Sequence, residues 1–216
     1  MKRGILASAA LVFVSLLGGS ATAAPQAQLV SMAWQLDFEF HDPQRIDVAL
    51  PGDSRPTTYW YVLYQVTNNT NREVDFYPSI QLVTDTLQVV SAGDTIPLRV
   101  YDAIARRHGR EYPFFVPATE AAGRLLQGEE NARASAAVFR NFDRTASSFT
   151  FFVAGLSGEI ELIGNPAFDA KKEESTENPL SFLFRRTLAI KYDIPGDPVT
   201  RSGAVPQRRS REWVMR

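Results

Sequence analysis

The chain has 216 residues, no cysteine, and 23 basic against 24 acidic side chains, a formal net charge of −1. Without cysteine there is neither a disulfide framework nor a thiolate metal site, and near-balanced charge excludes a field that would draw the chain to nucleic acid or an anionic membrane. Its 14 Phe, 7 Tyr and 3 Trp supply the bulk to fill a core between two sheets.

Residues 1–23 read as a secretory signal peptide. Lys2 and Arg3 make a positive start, residues 5–17 are apolar but short for a membrane span, and Ala21-Thr22-Ala23 offers the small residues that a signal peptidase needs. Cleavage there leaves an exported chain, periplasmic or extracellular, that begins near Ala24 and has no further membrane span; an uncleaved leader retained as an anchor is the alternative. A lipid anchor is excluded, because Gly18-Gly19-Ser20 stand where a lipoprotein carries its cysteine. Residues 24–32 are small and polar and read as a flexible lead-in, and residues 33–216 as a single domain.

Residues 33–40 alternate, with Trp34, Leu36, Phe38 and Phe40 on one face of a half-buried strand. After His41-Asp42-Pro43, Ile46, Val48 and Leu50 alternate again up to the Pro51-Gly52-Asp53 turn. Residues 58–67, TYWYVLYQVT, carry the strongest strand signal in the chain and are apolar on both faces. Asn68 to Asn71 supply turn chemistry. Strand pieces follow at 73–76 and 80–84 around Pro78, which cannot donate to a ladder, and 87–90 extends the sheet.

The period then turns helical. Val100, Tyr101, Ile104 and Ala105 share a side, Arg106, Arg107 and His108 sit where cations complement the helix dipole, and Gly109 is placed to cap. A second, weaker helix is expected over 117–126, so that residues 97–127 form a helical insertion. Strands resume at 132–139, 148–154 and 159–163. The charged run 168–178 reads as a solvated loop, 183–194 as a strand with Phe184, Leu188, Ile190 and Tyr192 in phase, and 210–216 as a closing strand. Short strands punctuated by turns predict an all-β fold, a two-sheet sandwich.

Residues 59–70, YWYVLYQVTNNT, are similar to the strand and turn of exported bacterial immunoglobulin-like sandwiches. The Leu125-Leu126-Gln127-Gly128-Glu129 turn, leading through residues 136–139 to 149–153, is similar to another of their segments. On these motifs the mature chain resembles an exported bacterial protein family with an immunoglobulin-like β-sandwich domain and no assigned activity. The resemblance implies a fold and carries no catalytic site. The helical stretch at 98–126 departs from a minimal seven-strand domain.

No catalytic, cofactor-binding or metal-binding residues are assigned. His108 reads as a helix-end residue and His41 as an exposed turn residue, and a hydrolase would need one of them beside a serine or carboxylate. Gly52-Asp53-Ser54 and Gly155-Leu156-Ser157-Gly158 each miss a serine-hydrolase motif. Asp85, Asp102, Glu129 and Glu130 are carboxylates that sequence alone cannot pair. Asn68-Asn69-Thr70 matches a glycosylation acceptor and reads as a turn. Tyr59, Trp60 and Tyr61 become a carbohydrate-stacking platform if one face is exposed, and core residues otherwise. Arg208, Arg209 and Arg211 belong to a C-terminal basic cluster that either meets an acidic partner or polymer of the envelope or guards an edge strand. The expectation is a non-enzymatic exported protein with a structural or protein-interaction role, no cofactor and an unidentified envelope partner. A carbohydrate-binding module is the alternative, and a hydrolase the remote one.

Overall fold

A strand apolar on both parities stays extended only where both of its faces are covered. The computed structural model describes residues 34–199 and 201–216 and places residues 57–67 at the centre of the molecule. The leader at 1–23, the lead-in at 24–32 and Ala33 lie outside the described residues.

In chain order the elements are β1 (Asp37–Phe40), β2 (Gln44–Val48), β3 (Thr57–Thr67), β4 (Val74–Phe76), β5 (Ser79–Thr84), β6 (Val89–Ser91), α1 (Leu98–His108), α2 (Ala118–Ala121), β7 (Gly123–Leu125), β8 (Arg133–Arg140), β9 (Ser148–Ala154), β10 (Ile160–Gly164), β11 (Ser181–Asp193) and β12 (Gln207–Met215). Among the described residues strands hold 44% and helices 11%, and the main sheets lie in a sandwich-like arrangement, so the chain is mostly β as expected.

The first sheet is organised by β3. One of its edges carries β2 on the first half and β1 on the last residues, while β8 runs along the other from Tyr59 to Val66. The second sheet is organised by β11. β9 and β12 flank residues 188–193, β5 and then β6 continue beyond β9, and β10 pairs with residues 181–185. β9 and β10 therefore follow one another along one edge of β11, separated by a detour at residues 155–158. Gly155 allows it: φ is +91°, and a Cβ there would stand 2.6 Å from the Tyr77 carbonyl oxygen. A small third sheet joins β4 to β7, and Pro78 stands between β4 and β5 as the break the sequence predicts.

Phe38, Val62 and Tyr64 from the first sheet, with Leu36 just before β1, pack against Leu82, Phe149, Phe151 and Tyr192 from the second. The other face of β3 is covered by α1, whose Val100, Tyr101 and Ile104 meet Ile46, Tyr59, Tyr61 and Val138. The helical insertion is thus the third layer that lets β3 be apolar on both sides. Its second half corrects the expectation. Where a helix is predicted over 117–126, α2 is a single turn; Ala122 is already extended (ψ 157°), Gly123 has φ +115°, and β7 begins. Gly109 does follow α1, in a right-handed conformation.

Candidate functional site

β3 places Tyr59, Trp60 and Tyr61 alternately on its two faces, and both faces are covered. All three side chains are buried. The conditional stacking platform is therefore corrected: none of these rings presents a face to solvent. Tyr59 and Tyr61 lie under α1, and Trp60 faces the inter-sheet core. The Trp60 indole N–H donates to Asn141 Oδ1 at 3.1 Å, and the Arg45 guanidinium lies 5.0 Å from its ring centre. A hollow of about 170 Å³ beside Trp60 is lined by Arg45, Asn141, Arg144 and Arg201, among others. That is below the roughly 300–1,000 Å³ of small-molecule sites. Arg45 already donates to the Gly203 carbonyl, and Arg201 to those of Gly196 and Thr145.

The C-terminal arginines fasten β12 to the edge of the first sheet. Arg208 Nε lies 3.1 Å from Asp42 Oδ1, which also accepts the Tyr192 hydroxyl at 2.9 Å. Burial, with Asp42 next to it, holds the Tyr192 proton far above the ordinary tyrosine range. Arg211 reaches the Phe38 carbonyl at 3.4 Å, and both guanidiniums flank the Phe40 ring. Arg209 Nε is 2.5 Å from Asp193 Oδ2. An acidic partner would have to compete with these contacts.

The two histidines, 67 positions apart in the chain, converge on one carboxylate. His41 Nε2 lies 3.4 Å from Glu111 Oε1 and His108 Nδ1 3.9 Å from Glu111 Oε2. His41 Nε2 also meets the Tyr112 hydroxyl at 2.6 Å, and His108 Nε2 the Tyr61 hydroxyl at 2.9 Å. Burial lowers the His108 pKa, with Glu111 opposing and Arg107 and His41 reinforcing the shift. Sequence reading treats each histidine singly and misses Glu111 and Tyr112, because the pairing depends on how the C-terminal end of α1 meets the turn after β1. Such imidazole–carboxylate pairs can pass protons, but among the described residues no hydrogen bond joins either histidine to a serine. Ser157, from the near-miss motif, instead donates to the Trp34 carbonyl and accepts from the Glu159 amide. Among the described residues no group of three or more His, Asp or Glu is placed to hold a metal ion, and no helix is long and apolar enough to cross a membrane.

The acceptor motif at Asn68 is likewise taken up by the fold. The Asn68 side chain is fully buried, its amide donating to the Arg72 and Leu125 carbonyls at 2.7 and 2.8 Å. Its oxygen accepts from the Thr70 amide and hydroxyl, closing the turn predicted there.

One region is built unlike the rest. β12 ends beside Arg185, where Arg185 and Arg216 exchange backbone hydrogen bonds. Beyond that point, among the described residues, only β10 pairs with β11, forming an arm. Successive register pairs Leu162↔Leu183 and Ile163↔Phe182 put apolar side chains on opposite faces of this two-stranded ribbon. Leu162 is 54% exposed, Ile163 42%, Leu180 52%, and Phe182 and Leu183 45% each. The connecting loop is solvated as expected, yet it is tied internally. Buried Asn178 accepts from the Asp169 amide at 2.9 Å and donates to the Asp169 and Glu173 carbonyls at 3.1 and 3.2 Å. Sequence reading finds both strands but misses their exposure. The available signal is adjacent apolar residues, at 162–163 and 182–183, flanking a charged loop.

Compared with family models, curated proteins and solved structures, the chain matches none.

Proposed function

We propose that this chain is an exported, immunoglobulin-like β-sandwich protein that acts without catalysis, by binding another protein of the cell envelope through the β10–β11 arm. The leader sequence supports export, and the sandwich-like arrangement supports the fold assignment. The observation that carries the binding role is the set of four apolar side chains, Leu162, Ile163, Phe182 and Leu183, each 42–54% exposed, on the two faces of one ribbon. Clustered exposure of large apolar side chains marks contact surfaces, because leaving apolar area in water is unfavourable by about 25 cal/mol per Å². The partner must present a complementary apolar face to Phe182 or Leu183.

Site-specific photocrosslinking in the producing cells tests this. A crosslinker at Leu183 is expected to give one discrete protein adduct in the envelope fraction, lost when Leu162, its register partner on the same face, is changed to Ser. The same crosslinker at Leu87, which is 85% exposed on the turn between β5 and β6, gives none. Equal labelling at both positions, or a glycan adduct at Leu183, overturns the reading.

A further inference from the structure

Three arginines from distant parts of the chain line the hollow beside Trp60: Arg45 from β2, Arg144 from the turn between β8 and β9, and Arg201 from the segment between β11 and β12. Arg186, Arg208 and Arg209 are each ion-paired, with Glu159, Asp42 and Asp193. The three in the hollow have no such pair among the described residues. Arg45 and Arg201 are half-buried, and their guanidiniums donate to the carbonyls of Gly203, Gly196 and Thr145, which accept hydrogen bonds without supplying a countercharge. Arg144 is exposed and meets no acceptor among the described residues. Partly desolvated cations are ordinarily paired with an anion.

We propose that this hollow binds the phosphate group of a phosphate monoester. Charge favours that ligand. Among the described residues the only carboxylate lining the hollow is that of Asp143, whose Oδ1 accepts from the Thr145 amide and hydroxyl. Three guanidiniums against one carboxylate leave a local charge of about +2, which a phosphate monoester, at about −1.5 to −2 near neutral pH, neutralises. A carboxylate would bring one charge and two oxygens; the monoester brings three terminal oxygens to guanidinium forks shaped for them. The Asn141 side chain uses its oxygen on the Trp60 indole and adds its amide N–H donors to the wall.

Size agrees with the charge. At about 30 Å³ for each water-sized group, a hollow of about 170 Å³ holds about five or six, enough for a phosphoryl group with its oxygens and too few for a whole organic ligand. A second hollow of about 350 Å³ shares Arg45 and Trp60 with the first and adds Pro43, Ala204, Val205 and Pro206, a largely apolar wall for the organic part of the ester. Ile194, just past the end of β11, lines the phosphate hollow, whereas the arm is built on residues 181–185 at the other end of that strand. The site is therefore independent of any partner that the arm takes.

The test is a titration of protein expressed from the full chain with inorganic phosphate, glycerol phosphate and acetate, followed through the NMR signals of the Trp60 indole and the Asn141 amide. Both phosphates are expected to saturate these shifts, and acetate to bind about tenfold more weakly. Arg144→Gln, at an exposed side chain, is expected to weaken phosphate binding about tenfold, the loss of one charge-assisted contact. Arg110→Gln, exposed just beyond α1, should leave it unchanged. Asp143→Asn keeps an acceptor for Thr145 and removes the opposing charge, so it should tighten binding, a gain that misfolding does not imitate. Absence of saturation, equal affinity for acetate, equal losses in the two arginine variants, or unchanged or weaker binding in Asp143→Asn overturns the proposal, as does binding of inorganic phosphate without glycerol phosphate. Vesicles containing phosphatidic acid separate the sources of the ester. Co-sedimentation that Arg144→Gln abolishes places the phosphate on a lipid headgroup, and glycerol phosphate binding without co-sedimentation places it on a soluble ester.

Discussion

The role of α1 as a packing layer can be tested by changing Ile104 to Ala. Ile104 is completely buried, between the helix and the outer face of β3 and β8. The substitution removes three carbon atoms, about 0.8 kcal/mol each in transfer terms, and leaves a cavity that β-sheet neighbours cannot readily fill. A loss of about 3 kcal/mol is expected, equivalent to a drop of about 6–12 °C in Tm for a chain of this size. Leu98, on the same helix but 61% exposed, provides the matched control; Leu98→Ala should stay within about 0.5 kcal/mol of the parent. Urea unfolding followed by tryptophan fluorescence reads both changes, since Trp60 lies in the inter-sheet core and Trp34 and Trp213 pack against it. If Ile104→Ala were as mild as Leu98→Ala, the helix would be an appendage, and β3 would have to be stable with one apolar face uncovered.

Other consequences follow from individual residues. Asn68→Ala leaves the Leu125 carbonyl without its side-chain donor in a buried setting and should cost about 1–3 kcal/mol in urea unfolding; a change below 0.5 kcal/mol would argue against the described hydrogen bonds. Gly155→Ala forces a Cβ against the Tyr77 carbonyl at φ +91° and should destabilise by about 1–3 kcal/mol, whereas Gly52→Ala, with φ +90° but open space around it, should cost less. For His108 the folded pKa lies below the unfolded value of about 6.5, so on acidification the unfolded chain takes up the proton first. Its contribution is present above about pH 6.5 and is lost as pH falls through the lower folded value. Urea midpoints should decline from pH 7.5 to 5.5 in the parent and less so in His108→Gln; identical declines would remove His108 as the cause. Asp85 works in a lower window. Burial raises its carboxyl pKa, but hydrogen bonds from the Ser147 hydroxyl and the Ser147 and Ser148 amides outweigh that and lower it overall. Its stabilisation is present above its ordinary value and disappears on acidification below it, so Asp85→Asn should flatten the acid limb of a pH–stability curve.

The strands were largely legible because their period of two survives in the sequence. The alternation of Leu36 and Phe38, of Ile46 and Val48, and of Phe149, Phe151 and Val153 each marks a strand with one buried face. β3 was legible as central because both its parities are apolar. What covers its second face was not, since nothing local to residues 57–67 points to a helix forty positions later. The end of α1 was marked by Arg106, Arg107 and His108, but residues 122–125 were misassigned because their extended shape is imposed by pairing with β4. Arginine composition announced a cationic C-terminus; only the register of β12 revealed that Arg208, Arg209 and Arg211 already hold Asp42, Asp193 and the Phe38 carbonyl.

By itself, then, the sequence determined the class of fold, the absence of disulfides and most strand positions, along with an expectation of export. These follow from composition and short-range periodicity, which each segment carries within itself. Tertiary structure alone decided that the aromatic run is core, that His41 and His108 share Glu111, and that the ribbon of β10 and β11 carries exposed apolar side chains. Each depends on which distant residues come to lie next to one another, and burial and free edges are properties of that arrangement.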